Sequence, residues 1–237
     1  MTTDATSAVL PDSIYAALRS AIVAQSIAPG ESLTESAVAL RFGVARPTAK
    51  TAIERLVADG LLRREKHQAA RVPRLSRADI LDLYDSRAVV ESAAVGELAT
   101  GGTLPAAALA AHRALLAVAT GGAHETARAS TPESAHDSAA EHGFATHDIA
   151  FHRALVAGQP SPRLARMHSL LMGEIELCIG QVQANQLLTA AEVGAQHQGI
   201  LDAVTAGDAE RAARLTREHI TGARDRLLAH FDATSPE

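Results

Sequence analysis

Apolar positions near the start of the chain fall at helical spacing. Ile14, Leu18, Ala21 and Ile22 recur at intervals of three and four, which predicts a helix from about Ser13 to Gln25. Pro29-Gly30 marks a turn. Ala37, Val38 and Leu40 predict a short second helix ending at Arg41-Phe42, and Gly43 stops it. A third helix starts near Arg46-Pro47, where proline suits the first turn. Ile53, Leu56 and Val57 form its inward stripe, and Gly60 ends it. Leu61–Arg64 and Ala70–Val72 have the short apolar runs of two strands, closed by Pro73. Residues 1–12 carry no such pattern and are expected to be a flexible N-terminus.

The order helix, helix, glycine turn, helix, hairpin predicts a winged helix-turn-helix over residues 13–75. From Ser76 the pattern changes. Ser76-x-x-Asp79 reads as a capping box opening a long helix to about Ala99, with Ile80, Leu83, Tyr84, Val90, Ala94 and Leu98 as its core. Gly101-Gly102 stops that helix, and Pro105 opens the next, to about Thr120. Residues 121–142 are rich in Gly, Ala, Ser, Thr and His without apolar periodicity, which predicts a loop. Further helices are expected over 144–157, 164–186, 190–205 and 208–231, with a turn at Gly207-Asp208. No strand pattern follows residue 75. The expected fold is mainly α: an N-terminal winged helix-turn-helix, then an antiparallel all-α bundle over 76–237.

Composition narrows what this architecture can do. Aromatic residues are 3% of the chain and Trp is absent, which argues against stacking platforms for single-stranded nucleic acid. The lone cysteine, Cys178, excludes an intrachain disulfide and a cysteine-based zinc finger. Neither a signal peptide nor an apolar run of spanning length is evident, so a cytoplasmic protein without a membrane partner is expected. Net charge is −5, but it is unevenly spread. Residues 41–74 hold nine Lys/Arg against three Asp/Glu, while ten of the eleven histidines lie in the second part. A local surplus of positive charge is what a duplex phosphate surface attracts. Arg46 and Lys50 are four apart and share a face of the third helix, where they reach base edges, phosphates or only solvent. Arg41, Thr48 and Arg71 complete the candidate DNA-binding set.

The bundle carries a second candidate site. Asp148 and His152 share a helical face with i, i+4 spacing. His197 precedes Gly207 by ten residues and His219 follows Asp208 by eleven, so a helical hairpin folding there brings both imidazoles to one height. One carboxylate and three imidazoles suit a divalent transition metal such as Zn²⁺ or Ni²⁺. Spacing alone leaves open the alternative that Asp148 and His152 form an ordinary surface ion pair. His147-Asp148 also reads as the "HD" dipeptide of metal phosphohydrolases, but only Asp202 is available as a downstream acid and no upstream His is evident.

The chain resembles GntR-family transcriptional regulators of the FadR subfamily, which carry an FCD effector domain. The likeness rests on PGESLTESAVALRFGVARPTAKTAIERLVADGLLRRE in the first part. In the second it rests on RADILDLYDSRAVVESAAVGELA, HDIAFHRALV and QHQGILDAVTAGDAERAARLTREHI. The resemblance implies a homodimer that grips operator DNA and responds to a small organic-acid effector, most simply as a repressor and not as an enzyme. It implies DNA contact by Arg46 and Lys50, metal ligation by Asp148, His152, His197 and His219, and an effector anchor at Arg87. Arg87 also stands four residues before Glu91, as a plain salt bridge would require. Departures from the family pattern touch the DNA side: Ala45 replaces a capping Ser, Lys50 an Arg, Thr51 a Glu, and Ala69 the usual wing Gly. The metal tetrad has none. A metal-dependent hydrolase with an accessory winged helix and a metal-ion sensor remain as alternative readings.

Overall fold

A computed structural model of the protein describes residues 11–125 and 143–234, with side chains described to residue 120 and again from 143. The chain separates into two compact units, Met1–Arg74 and Leu75–Glu237.

The first unit is built on three helices: α1 (Pro11–Val23), α2 (Glu35–Phe42) and α3 (Arg46–Ala58). Ile14, Leu18 and Ile22 of α1 and Ala49, Ala52, Ile53 and Leu56 of α3 are all buried, which gives this small unit its core. Thr34 caps α2 by accepting the Ala37 N–H at 3.2 Å. Gly43, at φ 63°, turns the chain from α2 into α3 through the left-handed region that glycine enters without penalty. At the start of α3, Ala45 offers no side-chain cap, and proline occupies the first turn instead.

The strands differ from expectation. Strand β1 (Ser32–Leu33) pairs antiparallel with β2 (Ala70–Arg71), in register Ser32↔Arg71 and Leu33↔Ala70. The predicted strand at Leu61–Arg64 reduces to one bridge, Arg63↔Arg71, with two 2.8 Å hydrogen bonds. Leu61 and Leu62 are buried, and their N–H groups return to Leu56 O at the end of α3. Their apolar run therefore serves the core and the helix terminus, not a ladder. Between the bridged segments His67 takes φ 65°, so the left-handed residue of the wing is a histidine two places before Ala69. Helix α1 begins at Pro11, two residues before the expected start; the first ten residues expected to be flexible lie outside the described residues.

The second unit is helical throughout its described residues: α4 (Arg77–Gly101), α5 (Ala106–Glu125), α6 (Ala145–Gly158), α7 (Pro162–Ala184), α8 (Ala190–Thr205) and α9 (Ala209–Thr234). The Ser76/Asp79 capping box opens α4, with Asp79 N–H donating to Ser76 Oγ at 3.2 Å and Ser76 N–H to Asp79 Oδ2 at 2.8 Å. A second capping box, Thr189/Glu192, opens α8. Helix α5 continues to Glu125, past the expected Thr120; residues 126–142 of the expected loop lie outside the described residues. Val95, Leu98, Phe151, Leu155, Ile200, Leu201 and Val204 form the core, drawn from α4, α6 and α8. Helix α4 packs against α6, α7, α8 and α9 and buries residues on most of its circumference, including Arg87 and Glu91. Gly207, at φ 72°, and the Asp208 carboxylate, which accepts the Arg211 N–H at 3.0 Å, turn α8 into α9. Among the described residues no single helix is long and apolar enough to cross a membrane.

Candidate functional site

Asp148 and His152 lie one turn apart on α6, His197 lies on α8 and His219 on α9, all four buried. The tight turn between α8 and α9 brings His197 and His219 together, with ring centroids 4.9 Å apart. One ligand atom from each of the four residues falls within 4.8 Å of all the others. Asp148 Oδ1 is 3.1 Å from His197 Nε2, 3.5 Å from His152 Nε2 and 4.0 Å from His219 Nε2. His152 Nε2 and His219 Nε2 are 3.1 Å apart. Donors about 2.1 Å from a shared ion stand roughly 3–4.2 Å from one another, so these separations suit one ion after small adjustments. Asp148 Oδ1 and both ring nitrogens of His197 are buried without a directed hydrogen bond. Polar atoms left this way are costly unless something else satisfies them. The donor set, its crowding and its unmet hydrogen bonds all fit a divalent cation.

The surrounding residues fix how the imidazoles face. His152 Nδ1 is 2.5 Å from Glu91 Oε2. The contact is an ion-pair distance without a directed hydrogen bond, and it leaves Nε2 turned to the tetrad. His219 Nδ1 donates to Gln196 Oε1 at 2.6 Å, which likewise leaves Nε2 for the centre. Phe151 stacks on His197 at 3.8 Å between centroids and 13° between planes. Glu91 is a junction: its Oε1 also accepts from Arg87 Nε at 2.8 Å and His168 Nε2 at 2.9 Å. One buried carboxylate thus ties α4, α6 and α7 to a residue of the tetrad.

The electrostatics follow from burial and these partners. Burial lowers the pKa of His197 to about 4, against the pull of Asp148. Burial, reinforced by His197 and His152, holds His219 well below the ordinary histidine range. Both imidazoles are therefore neutral, the form that ligates. For His152, burial and then Arg87 oppose protonation, but Glu91 and Asp148 outweigh them and its pKa rises. Ligation there requires that proton to leave. Burial opposes charge on Asp148 and Glu91 too. His152 and His197 hold Asp148 well below the carboxylate range, and Arg87 with His152 and His168 does the same for Glu91.

Beside the tetrad lies a narrow cavity of about 10 Å³, room for roughly one water molecule. Ile179, Val182, Leu188 and Val193 wall it, and Tyr84, Arg87, Asp148 and His219 supply its polar edge. Tyr84 OH and Arg87 Nη2 are buried with no hydrogen-bond partner. Arg87 thus forms the salt bridge that its spacing from Glu91 suggests and still has a donor to spare at the cavity.

The structure brings all four tetrad residues together and places Arg87 next to them. Three neighbours escaped sequence reasoning. Glu91 stood out only as a partner for Arg87. Gln196 carried no signal. His168, to which the sequence pattern gives no role, donates to Glu91. The phosphohydrolase residues do not assemble: His147 is half-buried outside the tetrad, and Asp202 is exposed and held by Gln198 at 2.7 Å.

In the first unit Arg46 and Lys50 lie exposed on α3. The Arg46 guanidinium donates to Ser36 Oγ on α2, and Lys50 pairs with Glu54 at 3.6 Å. Arg41 is exposed near the end of α2, with its guanidinium 5.6 Å from the Phe42 ring centroid. Thr48 is half-buried. Arg71, exposed on β2, donates to Gly30 O at 3.2 Å.

Comparison with known proteins agrees with both units. The family described as bacterial regulatory proteins, gntR family, matches residues 10–72, and the FCD domain family matches residues 82–222. The HTH-type transcriptional repressor GlaR of Escherichia coli strain K12 is 28% identical over 211 residues, covering 87% of this chain and 90% of GlaR. A GntR regulator from Rhodococcus sp. RHA1 has a similar fold, with TM-score 0.70 and 24% identity over 92% of this chain and 97% of that one. E. coli McbR/YncC is similar in fold at TM-score 0.70 and 18% identity, over 94% of this chain and 99% of that one.

Proposed function

Because the chain belongs to the gntR family of bacterial regulatory proteins and carries an FCD domain, we propose that it is a homodimeric transcriptional repressor whose grip on operator DNA is set by a small carboxylate held in the bundle. The observation that carries this reading is the pair of unpartnered buried donors, Tyr84 OH and Arg87 Nη2, on a cavity edged by the Asp/His tetrad. Donors without acceptors beside a cation site suit an anionic head group, and because the cavity has room for only about one water, it must widen along its aliphatic wall to take the rest of the effector. Asp148, His152, His197 and His219 hold Zn²⁺ or Ni²⁺, which supplies positive charge to a carboxylate oxygen. Arg87, braced through Nε by Glu91, offers its free Nη2 to the other oxygen, and Tyr84 adds a hydroxyl donor.

On the DNA side, Arg46 and Lys50 read or clamp the major groove from α3, with Thr48 beside them, while Arg41 and Arg71 meet flanking phosphates. Effector binding changes DNA affinity only as far as the effector prefers one arrangement of the dimer over another. Family membership favours regulation over hydrolysis, and the unpartnered Tyr84 and Arg87 donors favour an anchored effector over an ion sensed alone.

The test uses duplex selected from a random pool by the zinc-loaded protein. Mono- and dicarboxylates are then titrated against the complex by fluorescence anisotropy, in wild type and in Arg87→Met. The expected result is a carboxylate that shifts wild-type affinity and fails with the variant. If zinc alone sets DNA affinity and no carboxylate alters it, the ion is the signal and the effector reading is wrong.

A further inference from the structure

Each imidazole of the tetrad has two ring nitrogens, and only one can face an ion. In a neutral ring the other carries the hydrogen, and ligating histidines give that hydrogen to an acceptor behind them. Gln196 Oε1 stands behind His219 Nδ1 at 2.6 Å, and Glu91 Oε2 behind His152 Nδ1 at 2.5 Å. His197 has no such support. Its Nε2 faces Asp148 Oδ1 at 3.1 Å, while its Nδ1 is buried with no hydrogen-bond partner. When Nε2 ligates, that Nδ1 is a bare donor.

A matching acceptor lies on a neighbouring helix. His112 of α5 is buried, and its ring centroid is 6.2 Å from that of His197. The side chains around it fix which of its nitrogens holds the hydrogen. Gln198 Nε2 donates to Asp202 Oδ1 at 2.7 Å, one turn along α8. A carboxylate only accepts, so the nitrogen end of the Gln198 amide faces Asp202 and its oxygen end faces His112. That oxygen lies 3.0 Å from His112 Nε2, which is therefore the donor. His112 Nδ1 is left as an acceptor, and it too is buried with no partner. A buried donor and a buried acceptor are each costly alone and satisfied together. An N–H···N bond of about 3 Å puts imidazole centroids roughly 5.3 Å apart, so a shift of about 1 Å joins the two rings.

We propose that His112 is a positioning residue for the metal centre: it accepts the Nδ1 hydrogen of His197, and the Asp202–Gln198 pair sets the tautomer that lets it do so. This rests on the reading of the tetrad as a metal site. It gives all three ligating imidazoles an outer partner. Gln198 and Asp202 are exposed, so the chain of hydrogen bonds runs from the surface of α8 to a buried ligand. His112 does not line the cavity edged by Tyr84 and Arg87, so its loss loosens the ion without removing an effector contact.

Zinc affinity of the full chain, measured by competition with a chromophoric chelator, tests it. Wild type is expected to bind zinc. His112→Phe keeps a ring without the acceptor and is expected to weaken zinc binding roughly 10- to 100-fold. His112→Asn returns an acceptor close to the Nδ1 position and recovers most of the loss. Gln198→Leu, at an exposed site, weakens binding in the same direction by less. Two-bond ¹H–¹⁵N spectra of zinc-loaded wild type read the tautomers without any substitution, and the expected hydrogens are on His112 Nε2 and His197 Nδ1. A wild type that takes up no zinc overturns the metal reading itself, and this proposal with it. If wild type binds zinc and His112→Phe binds it equally well, the metal reading stands and His112 has no part in it. Equal losses in His112→Phe and His112→Asn, or a hydrogen on His112 Nδ1 in the wild-type spectra, overturn the acceptor role.

Discussion

The two units handle charge in opposite ways. In the winged unit Arg41, Arg46, Lys50 and Arg71 are exposed, and their partners are a hydroxyl, a carbonyl, a ring and one carboxylate at 3.6 Å. Water already solvates such groups, so their contacts contribute little to stability and break readily when a phosphate arrives. In the bundle Arg87, Glu91, Asp148, His152 and His168 are buried, and each depends on the others for what water would otherwise supply. Under the proposed function, charge that meets DNA is kept loosely held, whereas charge that holds an ion or an effector anchor in place is bound into the core. Substitution should therefore affect different quantities in the two places.

The largest expected effect is at Glu91. Glu91→Ala leaves Arg87, His152 and His168 buried around a missing acceptor, and should cost about 3–5 kcal/mol, the range for removing one partner of a buried ion pair. Glu91→Gln keeps an oxygen acceptor and should cost less. Urea unfolding of chelator-treated protein measures both. A Glu91→Ala variant as stable as wild type would place the junction among surface-like charges and erase the contrast. The next effect is in the winged unit, and its sign of success is asymmetry. Arg46→Ala should weaken binding to the selected duplex by about 1–3 kcal/mol if Arg46 reads a base. The same change should move unfolding stability by no more than about 0.5 kcal/mol. A large stability loss with unchanged DNA affinity would mean that the Ser36 contact is structural and that α3 reads DNA with other side chains.

How much of this was legible in the sequence differs between the units for a physical reason. Helices announce themselves by period, glycine and proline, so α1 to α4 and the turn at Gly207 could be read directly. Two-residue strands have no period to show, and Ser32-Leu33 was missed while Leu61-Leu62, with its buried leucines, resembled a strand. The tetrad was legible because two of its members share a helical face and the other two flank a tight turn at matched distances. The surrounding groups were not. Glu91, His168 and Gln196 meet their partners across 61, 77 and 23 residues of chain, respectively, counted to His152, Glu91 and His219. Only tertiary packing sets those meetings. Thr189-x-x-Glu192 has the same capping-box spacing as Ser76-x-x-Asp79 and was as legible in the sequence.

That capping box supplies the smallest prediction and bounds the contrast from the bundle's own surface. Glu192 is an exposed carboxylate in an otherwise tightly bound unit. Its Oε2 accepts from Thr189 N–H at 2.8 Å and Thr189 Oγ1 at 2.9 Å, and its Oε1 lies 3.2 Å from Arg226. The Thr189 backbone N–H, then its hydroxyl, and then Arg226 lower its pKa, because each favours the ionised form. A depressed carboxylate pKa contributes stability that is fully present above the unfolded value of about 4.3 and is lost as pH falls through the folded value. Solvent screening limits the contribution to on the order of 0.5 kcal/mol. Wild type should therefore unfold at slightly higher urea than Glu192→Gln at pH 7, and the gap should close as the pH is lowered below about 4.3. Taking the difference between the two proteins at each pH cancels the titration of the buried groups, which both share. A gap that persists undiminished into acid would mean that Glu192 acts through its shape or packing, as the buried residues do, and that exposure is not what separates the loosely held charges from the tightly held ones.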